Sequence, residues 1–248
     1  MIIKAIPLIL LSFLVLLPSM AQASASRIKD IVNIEGVRDN QLIGYGLVVG
    51  LNGSGDSLNS SPFTEQSLTA MLERLGVNVR GETMRTGNVA AVMVTATLPP
   101  FTTQGARIDV DVSTLGDSTS LQGGTLLVTP LMGADGEVYA VAQGPVSTSG
   151  FSVEGEAASV TQNIPTNARI AGGGIVEREI GFNLAALNSV RLGLKNPDFT
   201  TARRVASTIN AFLGRPAARV DNPSTITLAK DRSDSRSIVE LITDIEQL

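Results

Sequence analysis

Five glycines between Leu42 and Asp56, in the run L-I-G-Y-G-L-V-V-G-L-N-G-S-G-D, are the first candidates for a binding loop. A dinucleotide-binding loop needs G-x-G-x-x-G followed by a helix, but here Val49 takes the third glycine's place and an apolar, strand-like run follows. The Lys and Ser/Thr of a phosphate-cradling loop are also missing. A nucleotide site is therefore the weaker alternative. We interpret the glycines as a structural motif that permits close backbone approach or positive φ, at Gly44, Gly46, Gly50, Gly53 and Gly55.

A pair of carboxylates, Asp109 and Asp111, is the second candidate. The two residues alternate with Ile108, Val110 and Val112, so they share one face of a predicted strand. Ca²⁺ requires several oxygen ligands, and the neighbouring sequence supplies no further ones. We predict solvated side chains on the outer face of the strand, and no metal or cofactor.

Enzymatic chemistry is poorly supplied in this chain, which contains no His and no Cys. A Ser-His-Asp triad and a zinc site of the His/Cys type are therefore impossible. Lysine, the remaining common base, is scarce: beyond Lys4 the chain has Lys29, Lys195 and Lys230. We predict that the protein is not an enzyme.

Charge and aromatic content restrict the possible partners. The formal net charge is −4 and no basic patch is evident, which argues against nucleic-acid binding. Aromatic residues make up 4% of the chain, too few for base-stacking platforms. An alternative function is a periplasmic module that binds cell-wall glycan. Such a module needs an aromatic-lined groove, but the chain has no Trp and only two tyrosines, Tyr45 and Tyr139.

Short strands and one helix are predicted for residues 26–144. Ser61 is predicted to cap the helix, Pro62 to take its first position, and Gly76 to follow its end. The other elements are predicted strands, and residues Gly133 to Gly136 form the turn of a hairpin between the last two of them. The apolar stripe of the helix comprises Leu68, Met71, Leu72 and Leu75. The strands are predicted at Ile31–Ile34, Leu47–Val49, Val89–Leu98, Arg107–Ser113, Thr125–Leu131 and Val138–Gln143.

The second half of the chain divides into a polar stretch and a helical module. Residues 145–174 are small and polar, which indicates a flexible loop and a domain boundary. Residues 175–248 read as β-α-β-α: a helix capped by Asp198 has an apolar face that includes Phe199 and Phe212, and a second helix begins at Asp234 or Ser235. The chain is therefore predicted to be α+β, with short, mostly antiparallel strands, few helices and this C-terminal module.

The N-terminus has the pattern of a secretory signal peptide. Lys4 precedes the apolar run Ile6 to Leu17, and Ala21-Gln22-Ala23 is a small-x-small cleavage site. We predict a cleaved signal over residues 1–23, or 1–25, and export to the periplasm.

Several motifs in fixed order resemble the flagellar P-ring protein family. They begin with the glycine-rich run from Leu42 and extend with a looser match to the end of the chain. The further motifs are Pro62-Phe63-Thr64, Asn88 to Ala96, Leu98-Pro99-Pro100-Phe101, Ser120-Leu121, Gly123 to Leu126, Val138-Tyr139-Ala140 and Ala142-Gln143-Gly144.

This resemblance implies a structural subunit of the basal-body P ring, a homo-oligomeric ring that surrounds the flagellar rod in the periplasm. It further implies that the ring acts as a bushing for rotation beneath the outer-membrane L ring, with peptidoglycan and a periplasmic assembly chaperone as further partners. Residues 26–144 would then be the ring core.

Two departures from the family pattern concern assembly. Family members extend about a hundred residues further, so we expect a C-terminal region to be missing and ring closure by this chain to be in question. Many relatives carry a Lys before the Asn-Val-Ala-Ala-Val run, where this chain has Gly87. We predict that Arg85 and Arg107 are rod-facing charges; simple solvation of both is the equal alternative.

Overall fold

We describe the protein from a computed structural model, which describes residues 26–79, 87–148, 151–154, 159–162, 164–231 and 235–248. The chain divides into two compact units. The larger comprises Gly36–Asn183, and the smaller joins the residues up to Glu35 to Leu184–Leu248. The predicted signal peptide lies outside the described residues.

The larger unit is built mainly from antiparallel strands. The elements in chain order are β2 (Asn40–Val49), helix α2 (Pro62–Arg74), β3 (Val89–Leu98), β4 (Arg107–Thr114), β5 (Thr125–Met132), β6 (Val138–Pro145), β7 (Ser147–Thr148), β8 (Phe151–Glu154), β9 (Ser159–Gln162) and β10 (Asn167–Val176). Seven of the strands form one sheet of order β4-β3-β2-β5-β6-β10-β7, and β10 also pairs with β4, so the sheet closes on itself.

The alternation of apolar and polar residues determines which face of each strand is buried. In β4, Ile108, Val110 and Val112 are buried while Asp109 and Asp111 are exposed, as predicted. The predicted hairpin of β5 and β6 is also confirmed. Strand β3 is buried on both faces over its first four residues and alternates afterwards, because α2 covers the outer face near Val89 and Ala91. The interior of the closed sheet is therefore a single apolar core.

Helix α2 has the predicted limits, and Gly76 has φ +85°, in keeping with its place after the helix end. Two details of the helix differ from the prediction. Leu75, predicted in the buried stripe, is exposed, because the helix ends at Arg74 and Leu75 is the C-cap residue that follows it. Ser61 stands at the N-cap position, but its side chain does not cap the helix.

The stretch 145–174, predicted as a flexible loop, contains further strands. Strands β8 and β9 pair with each other, and β10 closes the large sheet against β4 and β6. The small residues that suggested a loop are what the packing of β10 requires, because a Cβ at Gly174 would press on Ile108 and Val110. The predicted boundaries at 144 and 174 therefore differ from the division of the chain into units.

The smaller unit packs helices on a four-stranded antiparallel sheet. The elements are helix α1 (Ile28–Ile31), β1 (Val32–Ile34), a 3₁₀ turn (Leu184–Ala186), β11 (Ser189–Leu194), helix α3 (Phe199–Leu213), β12 (Ala218–Asn222), β13 (Thr225–Ala229) and helix α4 (Ile238–Glu246). The strand order is β1-β11-β13-β12, and β1, near the N-terminus, joins the sheet by pairing with β11.

Caps define both long helices of this unit. Asp198 accepts a hydrogen bond from the backbone of Thr201 to begin α3, and Gly214, with φ +67°, ends it, both as predicted. Helix α4 begins later than predicted: Ser237 and Glu240 form a capping box that sets its first turn. Asp234, the earlier candidate, lies outside the described residues.

The apolar face of α3 is narrower than predicted. Ala202, Val205, Ala206 and Ile209 are buried, whereas Phe199 and Phe212 are 69% and 52% exposed. At 100° per residue, both phenylalanines lie at the margins of the buried stripe. The prediction that Phe212 is a core residue was therefore wrong.

The α+β class and the C-terminal alternation of strands and helices are confirmed. Within the described residues, none of the helices has the length and apolar character needed to cross a bilayer.

Candidate functional site

The glycine-rich run forms strand β2 and the loop that follows it. Gly44 and Gly46 face β5, and a Cβ on Gly46 would overlap the hydroxyl of Thr129, whose side chain is fully buried. At Gly44 the obstruction would be the carbonyl of Pro130. These two glycines therefore let β2 approach β5 more closely than a side chain would allow.

The loop after β2 folds against the start of β3. Gly50 and Gly53 have φ values of +86° and +89°, and the amide of Gly53 donates to the side chain of Asn88 at 2.8 Å. Gly55 lies against the carbonyls of Gly87 and Val89 and donates to the first of them. The loop is thus anchored by hydrogen bonds that its main-chain amides donate.

Asp56, the last residue of the run, is fully buried. One carboxylate oxygen accepts from the Thr64 hydroxyl at 2.6 Å and from the Ala91 amide at 2.8 Å, and the other accepts from the Ser118 amide at 3.0 Å. Gly116 lies so close that a Cβ there would overlap this carboxylate. Asp56 therefore ties together α2, β3 and the loop after β4.

Asp117 forms a second hydrogen-bonded centre beside the first. It accepts from the Ser60 hydroxyl at 2.6 Å, the Ser57 amide at 2.9 Å and the Ser61 hydroxyl at 3.2 Å. The bond from the Ser60 hydroxyl, followed by that from the Ser57 amide, lowers the pKa of Asp117 below its ordinary value. These bonds also explain why Ser61 does not cap α2 with its own hydroxyl.

We name these two carboxylates and their donors, Asp56, Asp117, Ser57, Ser60, Ser61, Thr64 and Ser118, the carboxylate cluster. The donors come from the chain itself and point at the carboxylate oxygens, so the cluster holds the surrounding loops in one arrangement. No group of three potential metal-ligating side chains occurs in the part of the chain that the structure describes.

Sequence reasoning missed both aspartates of the carboxylate cluster. The glycine pattern gives no sign of the buried carboxylate, although Asp56 ends the same run. The available signal was a lone carboxylate after a glycine-rich loop and directly before a serine-rich helix start, a pattern typical of local side-chain to backbone bonding. Its distant partners, near residue 118, could not be read from the spacing.

Of the two predicted rod-facing residues, Arg85 lies outside the described residues. Arg107 is exposed at the start of β4 and donates to the carbonyl of Gly172 at 3.1 Å. It lines a shallow groove with Asp109, Asp111 and Arg169. Bonds from the Gly172 amide and then from Arg169 lower the pKa of Asp109.

The two tyrosines lie in different surface depressions. Tyr45 shares a hydrogen bond of 2.8 Å with Ser67, on the groove between α2 and the sheet. Tyr139 donates to Asp135 at 2.7 Å beside another groove. Tyr45 and Tyr139 therefore lie apart, whereas the glycan-binding alternative requires aromatic side chains along one groove.

Comparison with known proteins gives a consistent result. The family model described as flagellar P-ring protein matches residues 27–248. A flagellar P-ring protein of Nitrobacter winogradskyi is 65% identical over 225 residues, which cover 91% of this chain and 60% of the relative. One from Rhodopseudomonas palustris strain TIE-1 is 62% identical over 233 residues, covering 94% and 62%. The chain thus spans about three fifths of the length of these curated relatives.

Proposed function

Because the chain belongs to the flagellar P-ring protein family, we propose that it is a structural subunit that assembles with copies of itself into a ring around the flagellar rod. The ring would lie in the periplasm beneath the outer-membrane L ring, at the level of the peptidoglycan, and would act as a bushing in which the rod turns. A periplasmic chaperone would keep subunits apart before assembly.

The carboxylate cluster is the observation that carries a structural role. Both carboxylates of the cluster are engaged by donors of the same chain. Asp56 has three such donors, each of its oxygens accepts at least one hydrogen bond, and the side chain is fully buried away from solvent. A buried, satisfied polar network specifies one arrangement of its loops, which is what a repeating subunit needs. We propose that the protein does no catalysis.

The arrangement of strands bears on how copies would meet. Closure of the large sheet pairs β4 with β10, which removes the edges through which strands usually add to one another. A ring joins two different faces of one subunit in a repeating contact. We therefore propose that contacts through side-chain surfaces dominate assembly, rather than strand addition to the large sheet.

Arg85 and Arg107 remain our proposed rod-facing charges. Two observations support Arg107. Its guanidinium is exposed on β4, where it can meet an acidic surface, and its hydrogen bond to the carbonyl of Gly172 fixes the position of the guanidinium. Reversal of Arg107 to Glu is expected to impair motility without removing the ring. Unchanged motility of that variant would exclude the role for Arg107.

Negative-stain electron microscopy of basal bodies tests the main proposal. Basal bodies from cells that lack the gene are expected to lack the periplasmic ring, and the reintroduced gene is expected to restore it. Intact rings in the deletion strain would refute the proposal.

A further inference from the structure

Strand β12 lies at one edge of the four-stranded sheet in the smaller unit. Within the described residues, β13 is the only strand that pairs with it. An edge strand presents backbone amides and carbonyls to the outside, and these groups can pair with a strand of a second chain. Because such pairing leads to aggregation, proteins usually cover or interrupt the edge.

The register shows which backbone groups of β12 point outward. The amide of Ala229 on β13 donates to the carbonyl of Ala217 at 2.9 Å, and Ala218 lies opposite Leu228. In an antiparallel pair, the backbone groups of successive residues turn alternately toward and away from the partner strand. The amide and the carbonyl of Ala218 therefore point away from β13, and so do those of Val220.

Asn210, on helix α3, occupies both outward groups of Ala218. Its side-chain oxygen accepts from the Ala218 amide at 2.7 Å, and its side-chain nitrogen donates to the Ala218 carbonyl at 2.9 Å. A carboxamide offers the same donor and acceptor as a peptide group of a neighbouring strand. The side chain of Asn210 thus takes the place of the next strand at this position.

Two further features interrupt the rest of this edge. A bulge at Asp221 breaks the register with β13. Arg219 and Asp221 also form an ion pair of 3.0 Å, which places charged side chains on the strand. Bulges and charges on an edge strand both oppose pairing with another chain. Between Ala218 and the bulge, the outward backbone groups are those of Val220.

We propose that Asn210 closes the edge of β12 against strand addition by a second copy of this chain. This role does not depend on the proposed ring, because an open sheet edge can recruit further copies whatever the chain assembles into. The physical reason is exchange: an incoming strand would have to displace two existing hydrogen bonds at Ala218 and would gain no additional ones there.

Asn210→Ala tests the proposal because it uncovers the edge. We expect the purified variant to self-associate in sedimentation velocity about tenfold more tightly than the unsubstituted chain, the ratio that two net hydrogen bonds can supply. Asn222→Ala is the matched control: the Asn222 side chain also accepts from a backbone amide, that of Ser224, but it covers no outward group of β12. The control should lower stability without tightening association.

Amide hydrogen exchange, followed by NMR, locates the contact. In the unsubstituted chain, the Ala218 amide should exchange slowly and the Val220 amide quickly. In Asn210→Ala at low concentration both amides should exchange quickly, and both should become protected as copies associate. Association that leaves these two amides unprotected would overturn the proposal, as would a variant that associates no more tightly than the unsubstituted chain.

Val220→Pro separates strand addition from association of partly unfolded chains. Proline removes the outward amide of Val220 without removing a hydrogen bond to β13, so it obstructs an incoming strand at an edge position that tolerates proline. Added to Asn210→Ala, it should return association to the level of the unsubstituted chain. Association that persists in the double variant would contradict strand addition. The exchange measurement decides the question without this second substitution.

Discussion

The interiors of the two units are stabilised by different kinds of interaction. In the larger unit, fully buried polar side chains such as Asp56 and Thr64 bond across loops, and glycines let strands approach closely. In the smaller unit, the described core is apolar, and two capped amphipathic helices pack on the sheet. The first arrangement depends on donor geometry and backbone clearance, and the second depends on apolar volume.

This difference determines which substitutions each unit tolerates. An apolar core accepts changes that keep its volume, since dispersion and burial have no direction. A buried carboxylate with three donors accepts almost none, because each donor left unpaired keeps its full desolvation cost. The glycine-rich run lies in the larger unit and ends at this buried carboxylate, Asp56.

The largest effect is expected from Asp56→Ala. The change leaves the amides of Ala91 and Ser118 and the hydroxyl of Thr64 buried without acceptors. We expect the free energy of unfolding to fall by about 3–5 kcal/mol. Urea denaturation followed by tyrosine fluorescence measures it, because Tyr45 and Tyr139 both lie in the larger unit.

Asp56→Asn is the matched control for shape. An amide group must point a donor at one of the existing donors, so this nearly isosteric change should still cost about 2 kcal/mol. A midpoint within error of the unsubstituted chain would show that the carboxylate does not hold the loops.

Ile209→Ala is expected to cost nearly as much in the smaller unit, for the opposite reason. Ile209 is fully buried on α3, and its removal should leave a cavity worth about 2–5 kcal/mol. Phe212→Ala, on the same helix but half exposed, should cost less than about 1 kcal/mol. The two midpoints, measured by circular dichroism, would contradict our account if their order were reversed.

The sequence predicted the smaller unit more readily than the carboxylate cluster. Helix α3 has its cap at Asp198, its stop at Gly214 and its apolar period between them, all within one continuous segment. The exposure of Phe212 was missed because periodicity gives the centre of a buried face and not its width. The closing pair of β4 and β10 and the bond from Ser118 to Asp56 join residues about sixty positions apart, which no local pattern encodes.

Gly46→Ala tests backbone clearance in the larger unit. The added Cβ meets the hydroxyl of buried Thr129, so β2 and β5 must separate. We expect a loss of about 1–3 kcal/mol by urea denaturation, as for overpacking elsewhere. Gly181→Ala, at an exposed glycine of the same unit with open space around it, should be nearly neutral. Equal midpoints for the two variants would remove clearance as an explanation for Gly46.

The smallest effect concerns pH and the outer carboxylate of the cluster. Hydrogen bonds from Ser60 and Ser57 lower the pKa of Asp117 below its ordinary value of 3.8. A lowered pKa in the folded state means that the stabilisation is present above about 3.9, the unfolded value, and is lost as pH falls through the folded pKa. The larger unit should therefore lose stability to acid in this window.

Asp117→Asn should reduce that loss, because the variant has no proton to take up at this position. The measurement is the drop in the tyrosine-detected urea midpoint between neutral and acidic pH, compared with the unsubstituted chain. Asp198→Asn is the control from the smaller unit, where bonds from the Thr201 hydroxyl and amide lower the pKa of Asp198 in the same way. Only Asp117→Asn should change the acid sensitivity of the tyrosine signal. If both variants changed the acid sensitivity equally, the two units would unfold together in acid. The difference between the units would then not include their dependence on pH.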